Sequence, residues 1–312
     1  MAISASMVKE LREMTGAGMM DCKKALTNTD GDMDKAVEWL RENGLAKAEK
    51  KAGRIAAEGL VAVKVSDDKK KAAIVEVNSE TDFVAKNDVF QKLVDSVASQ
   101  AINTGASDMD AFMAEPWIED SSVTVEENLK NMIAKIGENM NIRRFEKMEQ
   151  GNGMIVSYIH AGGKIGVLIS AETDNTGAEV EECLKNVAMQ VAAMNPQYLS
   201  SDDVSEEYKE KEKEVLLAQA KNDPKNAGKP DNIIEKMIIG RLNKELKEVC
   251  LTEQVYVKAE NKETVAKYVE AVAKANGCNI KLNQFIRFET GEGLEKKEED
   301  FAAEVAAQMA GN

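Results

Sequence analysis

One arrangement of strands and helices is predicted twice along this chain of 312 residues, and it restricts the possible folds strongly. Two short runs rich in β-branched residues, joined by a polar turn, predict a β-hairpin at 60–77. The same pattern returns at 154–170. Each hairpin is followed by a polar segment and then by apolar residues at helical spacing, at 89–97 and 180–191. We therefore predict an α+β protein with two related core subdomains, each a small antiparallel sheet with a helix against one face.

Before the first hairpin, the sequence predicts a module of three short helices over residues 1–53. Asp32 is suited to cap the third helix, and Gly44 is expected just past its end. The charged run 47–54 is therefore predicted to be a solvated linker. Between the two core subdomains, the apolar spacing predicts a helix over 125–144.

A protruding, charged helical hairpin is predicted within the second core subdomain. Two apolar stripes of helical period flank a turn at 222–232 that is rich in proline and glycine. After the hairpin we predict a helix, a strand at 279–288 and a last amphipathic helix at 301–309. The predicted units are the N-terminal module 1–53, the first core subdomain 54–150, the second core subdomain 151–200 with 250–289, the helical hairpin 201–249 and the C-terminal segment 290–312.

Charge and rare residue types exclude several functions. With 41 Lys and Arg against 55 Asp and Glu, the net charge of −14 repels phosphate, so we predict no direct nucleic-acid partner. His160 is the one histidine, and no two of the four cysteines form a Cys-x-x-Cys pair. The sequence also lacks a Gly-rich phosphate-binding loop. We therefore predict no metal, no cofactor and no catalytic residue, and hence no enzyme activity.

The sequence also predicts where the protein resides. No stretch approaches the roughly 20 apolar residues that span a membrane, and the first residues lack the basic and apolar regions of a signal peptide. Sparse, unclustered cysteines are typical of reducing compartments. We therefore expect a cytoplasmic protein without a membrane partner.

A polar segment at 78–87 contains a single aromatic residue, Phe83. Thr81 or Asp82 is suited to cap a helical turn there, and Phe83 could then fold back as a hydrophobic staple. The same ring could instead anchor the pocket of a partner protein. His160, at a predicted strand end, likewise suits either an exposed polar position or a partner contact. The residues by themselves leave these alternatives open.

Four segments resemble the elongation factor Ts family, in the same order and over essentially the whole chain. They are LREMTGAGMMDCKKAL at 11–26, TDFVAK at 81–86, IGENMNIRR at 136–144 and FIRFE at 285–289. The resemblance implies a cytoplasmic translation protein that binds elongation factor Tu in its GDP-bound and nucleotide-free states and speeds GDP release. The N-terminal module is then expected to be UBA-like.

The resemblance also implies which residues contact elongation factor Tu. In the N-terminal module these are Arg12, Met19 and Met20; in the loop they are Thr81, Asp82, Phe83 and Val84; in the core they are Ile136, Gly137 and His160. Asp82 and Phe83 match the pair that intrudes beside the nucleotide and magnesium site of Tu. The C-terminal segment resembles a module that also docks on Tu.

Two further expectations concern assembly and the nearest rival function. The hairpin matches a coiled-coil and dimerisation insertion of the family, so a homodimer through the hairpin or the second core subdomain is possible. The alternative function is a non-catalytic scaffold, or a chaperone-like protein, that holds a nucleotide-binding partner without changing its affinity for nucleotide.

Overall fold

The computed structural model describes residues 3–226 and 229–295 and confirms the α+β class. Its helices are α1 Ala5–Thr15, α2 Met19–Asn28, α3 Met33–Lys51, α4 Asp82–Ala85, α5 Asp88–Asn103, α6 Met109–Ala114, α7 Val125–Ile136, α8 Ala178–Met194, α9 Glu206–Asn222, α10 Asp231–Val249 and α11 Val265–Ala275. Its strands are β1 Glu58–Val65, β2 Lys71–Ser79, β3 Met140–Glu149, β4 Met154–His160, β5 Ile165–Thr173 and β6 Ile280–Glu289. The C-terminal helix predicted at 301–309 lies outside the described residues.

The six strands form two antiparallel sheets of three strands, in the orders β1-β2-β3 and β4-β5-β6. Helix α5 covers one face of the first sheet, and α8 covers one face of the second. The two remaining faces pack against each other through residues such as Ile74 of β2 and Leu168 of β5, both fully buried. The core is therefore a four-layer stack of helix, sheet, sheet and helix, which buries both faces of each sheet.

The two core subdomains share irregular features as well as their strand order. In each, a glycine before or at the start of the first strand has positive φ, at Gly59 (130°) and Gly153 (110°). A Cβ there would lie 2.2 and 2.0 Å from a carbonyl oxygen of the neighbouring strand, so only glycine permits the close approach. In each subdomain, the register between the second and third strands shifts after the sixth residue of the second strand, Glu76 or Ser170. These shared details confirm the predicted repeat.

The register shift in the first sheet explains how two arginines reach one buried carboxylate. Glu76 pairs with Arg144 and the next residue of β2 pairs with Ile142, so Arg143 is the extra residue of a β-bulge. Both arginines bind the fully buried Glu76, with Arg143 Nη1 at 3.0 Å and Arg144 Nε at 2.6 Å. The amide of Gly291, just after β6, donates to the same carboxylate at 2.8 Å. Glu76 therefore ties the end of the second sheet to the first.

Two sequence predictions of where a helix ends are wrong. Helix α3 does not end before Gly44 but runs on to Lys51, because the missing side chain of Gly44 lets α3 pack closely on Ala134 of α7. The run 47–51 is thus helix rather than linker. The helix predicted over 125–144 ends at Ile136, and the residues from Met140 onward form β3.

The N-terminal module and the hairpin have their own apolar cores. The module also packs on α7, where Arg41 and Glu127 form an ion pair at 3.4 Å. Helices α9 and α10 form the predicted helical hairpin around residues such as Leu216, Ile238 and Leu242. At its base, the amides of Gln197 and Tyr198 both donate to the carbonyl oxygen of Val249. Across 3–226 and 229–295, no helix combines the length and the hydropathy needed to cross a membrane.

Candidate functional site

The connection between β2 and α5, residues 80–87, is here called the β2–α5 loop. It contains the single-turn helix α4, whose N-cap is Thr81: the amide of Val84 donates to Thr81 Oγ1 at 3.3 Å. Val84 and Ala85 point inward and are buried in the core between α5 and the first sheet. Phe83, on the outer side of the same turn, is 80% exposed. One helical turn thus fixes the loop to the core and directs an aromatic ring to solvent.

This geometry excludes one of the two interpretations of Phe83, the hydrophobic staple, and leaves the partner anchor as a prediction. The predicted capping role of Thr81 is confirmed. The hydrophobic staple is wrong, because a stapled ring would be covered by its own helix and Phe83 is not. A ring this exposed contributes little to the stability of the free protein and leaves a large apolar surface in contact with water.

Two carboxylates hold the base of the β2–α5 loop. Glu138, which follows α7, accepts hydrogen bonds from the backbone amide of Thr81 at 3.0 Å and from its hydroxyl at 2.7 Å. Glu80 accepts one from the amide of Asn139 at 2.5 Å. The side chain of Asn139 in turn donates to the carbonyl oxygen of Arg54 at 2.8 Å. The loop is therefore tied both to the start of β3 and to the segment that follows the N-terminal module.

The outer side of the loop carries a small charged group. Lys86 Nζ lies 2.7 Å from an Asp82 carboxylate oxygen and 6.0 Å from the centre of the Phe83 ring. The hydrogen bond from Lys86 lowers the pKa of Asp82 below its ordinary value, and the positive charge of Lys164 lowers it further. Asp82 is thus a carboxylate at neutral pH. Lys164 follows the β4–β5 turn and binds Glu58, which pairs with Ser79 directly before the loop, so this turn lies close to the loop.

Of the predicted core contacts, two lie close to the loop and one lies on the neighbouring turn. Ile136, half-buried at the end of α7, packs against the first core, and Gly137 caps that helix with φ 93°. They are the two residues before Glu138. His160 is exposed at the end of β4, where its Nδ1 is 2.9 Å from the hydroxyl of Tyr158. This exposure agrees with both alternatives for His160, an exposed polar position and a partner contact, and does not choose between them.

The predicted contacts of the N-terminal module are all exposed. Met19 and Met20 begin α2 and are 58% and 65% exposed, and Met14 near the end of α1 is 60% exposed. Arg12 is exposed on α1. The glycine turn between these helices lies against α7, since the side chain of Lys135 is the nearest neighbour of Gly16. Flexible methionine side chains at a surface suit contact with another protein.

Three residues of this site were not singled out from the sequence: Glu80, Glu138 and Lys164. Glu138 lies within the IGENMNIRR segment, directly after a glycine that ends a helix, which is where a polar side chain can reach back to a neighbouring loop. Its partner Thr81 is 57 residues away along the chain, so no local pattern could reveal the pair.

The site has the chemistry of a contact surface. Within residues 3–226 and 229–295, no group of His, Cys, Asp and Glu is placed to hold a metal ion. Burial raises the pKa of the Cys183 and Cys250 thiols to about 11, so both are protonated at neutral pH and are poor nucleophiles. What these described residues offer instead is exposed apolar side chains on rigid supports, the arrangement of a protein that acts by binding another protein.

Comparison with known proteins agrees with that class. The family model for elongation factor Ts matches residues 80–292. Proteins named elongation factor Ts from Clostridioides difficile (strain 630), Clostridium tetani (strain Massachusetts / E88) and Clostridium botulinum (strain Eklund 17B / Type B) are 56%, 54% and 53% identical to this chain. Each comparison covers 98% of this chain and 99% of the relative. The chain belongs to the elongation factor Ts family and has a role in translation elongation.

Proposed function

We propose that this protein is a guanine-nucleotide exchange factor that binds elongation factor Tu and promotes the release of GDP from it. In this proposal Asp82 and Phe83 insert beside the nucleotide and magnesium site of Tu, where the ring separates helices and the carboxylate disturbs the groups that hold magnesium and phosphate. The observation that carries the proposal is the 80% exposure of Phe83 on a loop held by four hydrogen bonds. Three of them are accepted by the carboxylates of Glu80 and Glu138, and the fourth caps α4.

Exchange of this kind needs no catalytic group in the factor, and we propose that the protein is not an enzyme. It requires only that the factor and GDP weaken each other's binding to Tu, and such coupling is reciprocal. A ligand shifts a partner between states only through its difference in affinity for them. A broad surface that fits one state of Tu is sufficient.

The magnitudes require more than one contact. A Phe side chain offers roughly 150–250 Å² of surface, and at about 25 cal/mol per Å² its complete burial would contribute at most about 4–6 kcal/mol. Nanomolar nucleotide binding is worth about 12 kcal/mol. Phe83 alone therefore cannot expel GDP, and we propose that Arg12, Met19 and Met20 in the N-terminal module, with Ile136, Gly137 and His160 in the core, supply the remaining binding energy.

The direct test is to mix the protein with Tu loaded with fluorescent GDP and to follow release of the label by stopped flow. We expect release to accelerate with factor concentration and then to saturate. A complex that forms without faster release would instead identify the scaffold function. A homodimer through the helical hairpin or the second core subdomain stays a prediction, which sedimentation velocity at several concentrations would test.

A further inference from the structure

Comparing the two core subdomains shows which contacts belong to the shared fold and which are particular to the β2–α5 loop. In the first core subdomain, the carboxylate of Glu80 accepts the amide of Asn139, directly before β3. In the second, the carboxylate of Asp174 accepts the amide of Asn279, directly before β6, at 2.9 Å. These residues hold equivalent places, one residue after the second strand and one before the third. A tie that occurs in both subdomains belongs to the shared fold.

The hydrogen bonds from Thr81 to Glu138 have no equivalent in the described part of the second core subdomain. The residue at the place of Glu138 in the second subdomain is Cys278, which cannot act as a carboxylate. There the amide of Asn175, at the place of Thr81, donates to the nearby hydroxyl of Thr173 at 3.2 Å. The second loop then enters α8 without an additional helical turn. The contact between Glu138 and Thr81 thus occurs only in the subdomain whose loop contains an extra helical turn, the turn that bears Phe83.

We propose that Glu138 is a positioning residue for exchange, which acts through Thr81 to hold α4 in the conformation that presents Phe83. This inference rests on the proposed function and deepens it. Glu138 accepts hydrogen bonds from both the hydroxyl and the amide of Thr81, so the lone pairs of the hydroxyl oxygen remain free to accept a hydrogen bond from the amide of Val84. The result is a chain of hydrogen bonds from Glu138 through Thr81 to Val84, with Phe83 between the last two.

The short length of α4 makes this support important. Helix α4 has four residues, and a single turn does not form stably in water without other interactions because nucleation is unfavourable. Burial of Val84 and Ala85 fixes the inner side of the turn. The N-cap fixes its beginning, and Glu138 orients the N-cap hydroxyl. Without that carboxylate the turn should open more often, and Phe83 should spend less time in the presented position.

The main variant is Glu138→Gln, which keeps the size of the side chain but replaces one acceptor oxygen with a donor amide. We expect GDP release from Tu at saturating factor to slow by about threefold to tenfold, with a midpoint of thermal unfolding close to that of the unmodified protein. The matched control is Asp174→Asn, which makes the same chemical change at a tie of the shared fold. It should leave the saturating rate of GDP release within about 1.5-fold of that of the unmodified protein, because Asp174 is not among the residues proposed to contact Tu.

A second measurement requires no partner. Amide hydrogen exchange should become at least about tenfold faster at Thr81 and Val84 in Glu138→Gln, while the amide of Asn175 serves as an internal reference and should not change. This measurement separates the two proposals. If the unmodified protein fails to accelerate GDP release, the proposed function is wrong, and hydrogen exchange alone decides the role of Glu138.

A double-mutant cycle tests whether Glu138 acts through Thr81. If it does, Thr81→Val combined with Glu138→Gln should slow GDP release little more than the slower single variant. Fully additive slowing would overturn the inference, since it would mean that Glu138 contacts Tu on its own. An unchanged release rate together with unchanged protection of Thr81 and Val84 would overturn it as well, while leaving the proposed function intact.

Discussion

Lys51 donates a hydrogen bond from its ammonium group to the carbonyl oxygen of Gly137. Lys51 is the last residue of α3, and Gly137 is the cap of α7. Burial lowers the pKa of Lys51 below its ordinary value, and the charge of Arg54 adds to this effect. The N-terminal module is thus joined to the residue that precedes Glu138. Deleting residues 1–53 would disturb the β2–α5 loop as well as the module, so the role of the module is better tested by point substitutions.

Replacing both Met19 and Met20 with Ser should weaken binding to Tu more than it slows exchange. Burial of a Met side chain is worth about 1.5–3 kcal/mol, so losing two contacts should raise the factor concentration for half-maximal GDP release at least about tenfold. The saturating rate should stay within about twofold, because the β2–α5 loop is unchanged. Ile118→Ser, a change at another exposed apolar residue, is the control. If the factor concentration for half-maximal GDP release did not change, these methionines would not be part of the interface with Tu.

Phe83→Ala should slow GDP release at saturating factor by more than about tenfold, which corresponds to at least about 1.4 kcal/mol of lost barrier lowering. Its free energy of unfolding should change by less than about 0.5 kcal/mol, because the ring is largely exposed and packs on little. Phe83→Leu keeps part of the apolar volume, so its rate of GDP release should lie between those of the unmodified protein and Phe83→Ala. Stopped-flow rates within twofold of the unmodified protein for Phe83→Ala would refute the insertion of the ring.

Glu76 should make the stability of the fold depend on acidity. Burial raises the pKa of its carboxyl, but hydrogen bonds from Gly291, Asn78, Arg144 and Arg143 more than offset this and leave the pKa below the ordinary 4.5. A carboxyl with a lowered pKa in the folded state stabilises the fold above its unfolded pKa. That contribution is lost as the pH falls through the lower, folded pKa. Urea unfolding between pH 3 and 7 should therefore show decreasing stability below about pH 4.5.

Glu76→Gln provides the comparison for this pH dependence. At pH 7 it should reduce the free energy of unfolding by about 3 kcal/mol, because both arginines lose their buried countercharge. Below pH 4.5 the difference from the unmodified protein should shrink, as Glu76 itself becomes neutral. A constant difference across the whole pH range would show that Glu76 does not act as an ion.

Gly153→Ala should destabilise the second core subdomain strongly. Its φ of 110° is unfavourable for alanine, and the added Cβ would lie 2.0 Å from the carbonyl oxygen of Ala171, which must then move. We expect a loss of about 2 kcal/mol or more in the free energy of unfolding. The control is Gly151→Ala, where a Cβ meets nothing within 4 Å. Equal stability of the two variants in urea unfolding would contradict this account of the strand start.

The sequence predicts well those elements whose apolar residues follow one period without interruption. Both hairpins and the helices α5 and α8 are of this kind, and each lies where it was expected. Strand β3 was missed because charged residues interrupt it and because the bulge at Arg143 breaks the alternation of inward and outward side chains. The end of α3 was misplaced because Gly44 serves close packing rather than termination.

The site could be predicted only in part. Phe83 is the one aromatic residue of the polar segment 78–87, and this pattern predicts either a staple or an anchor. The choice between them depends on whether the ring is covered, which is a property of the folded surface. Of the two carboxylates that hold the loop, Glu138 is brought to it by the end of α7, 57 residues from Thr81. Glu80 belongs to the loop itself, but its partner, the amide of Asn139, lies directly before β3 and is similarly distant along the chain. Such pairs follow from tertiary structure and leave no periodic signal.

The base of the helical hairpin has a consequence for how this chain can vary. Tyr198 and Cys250 form a parallel bridge, so the chain leaves the second core subdomain and returns to it at adjacent points. The hairpin also closes its own apolar core. A segment joined in this way can lengthen, shorten or be replaced by a short connection without changing the register of either sheet, at little more than the entropy of closing a loop. Its length is therefore open to drift or to engineering, whereas the strands beneath it are not.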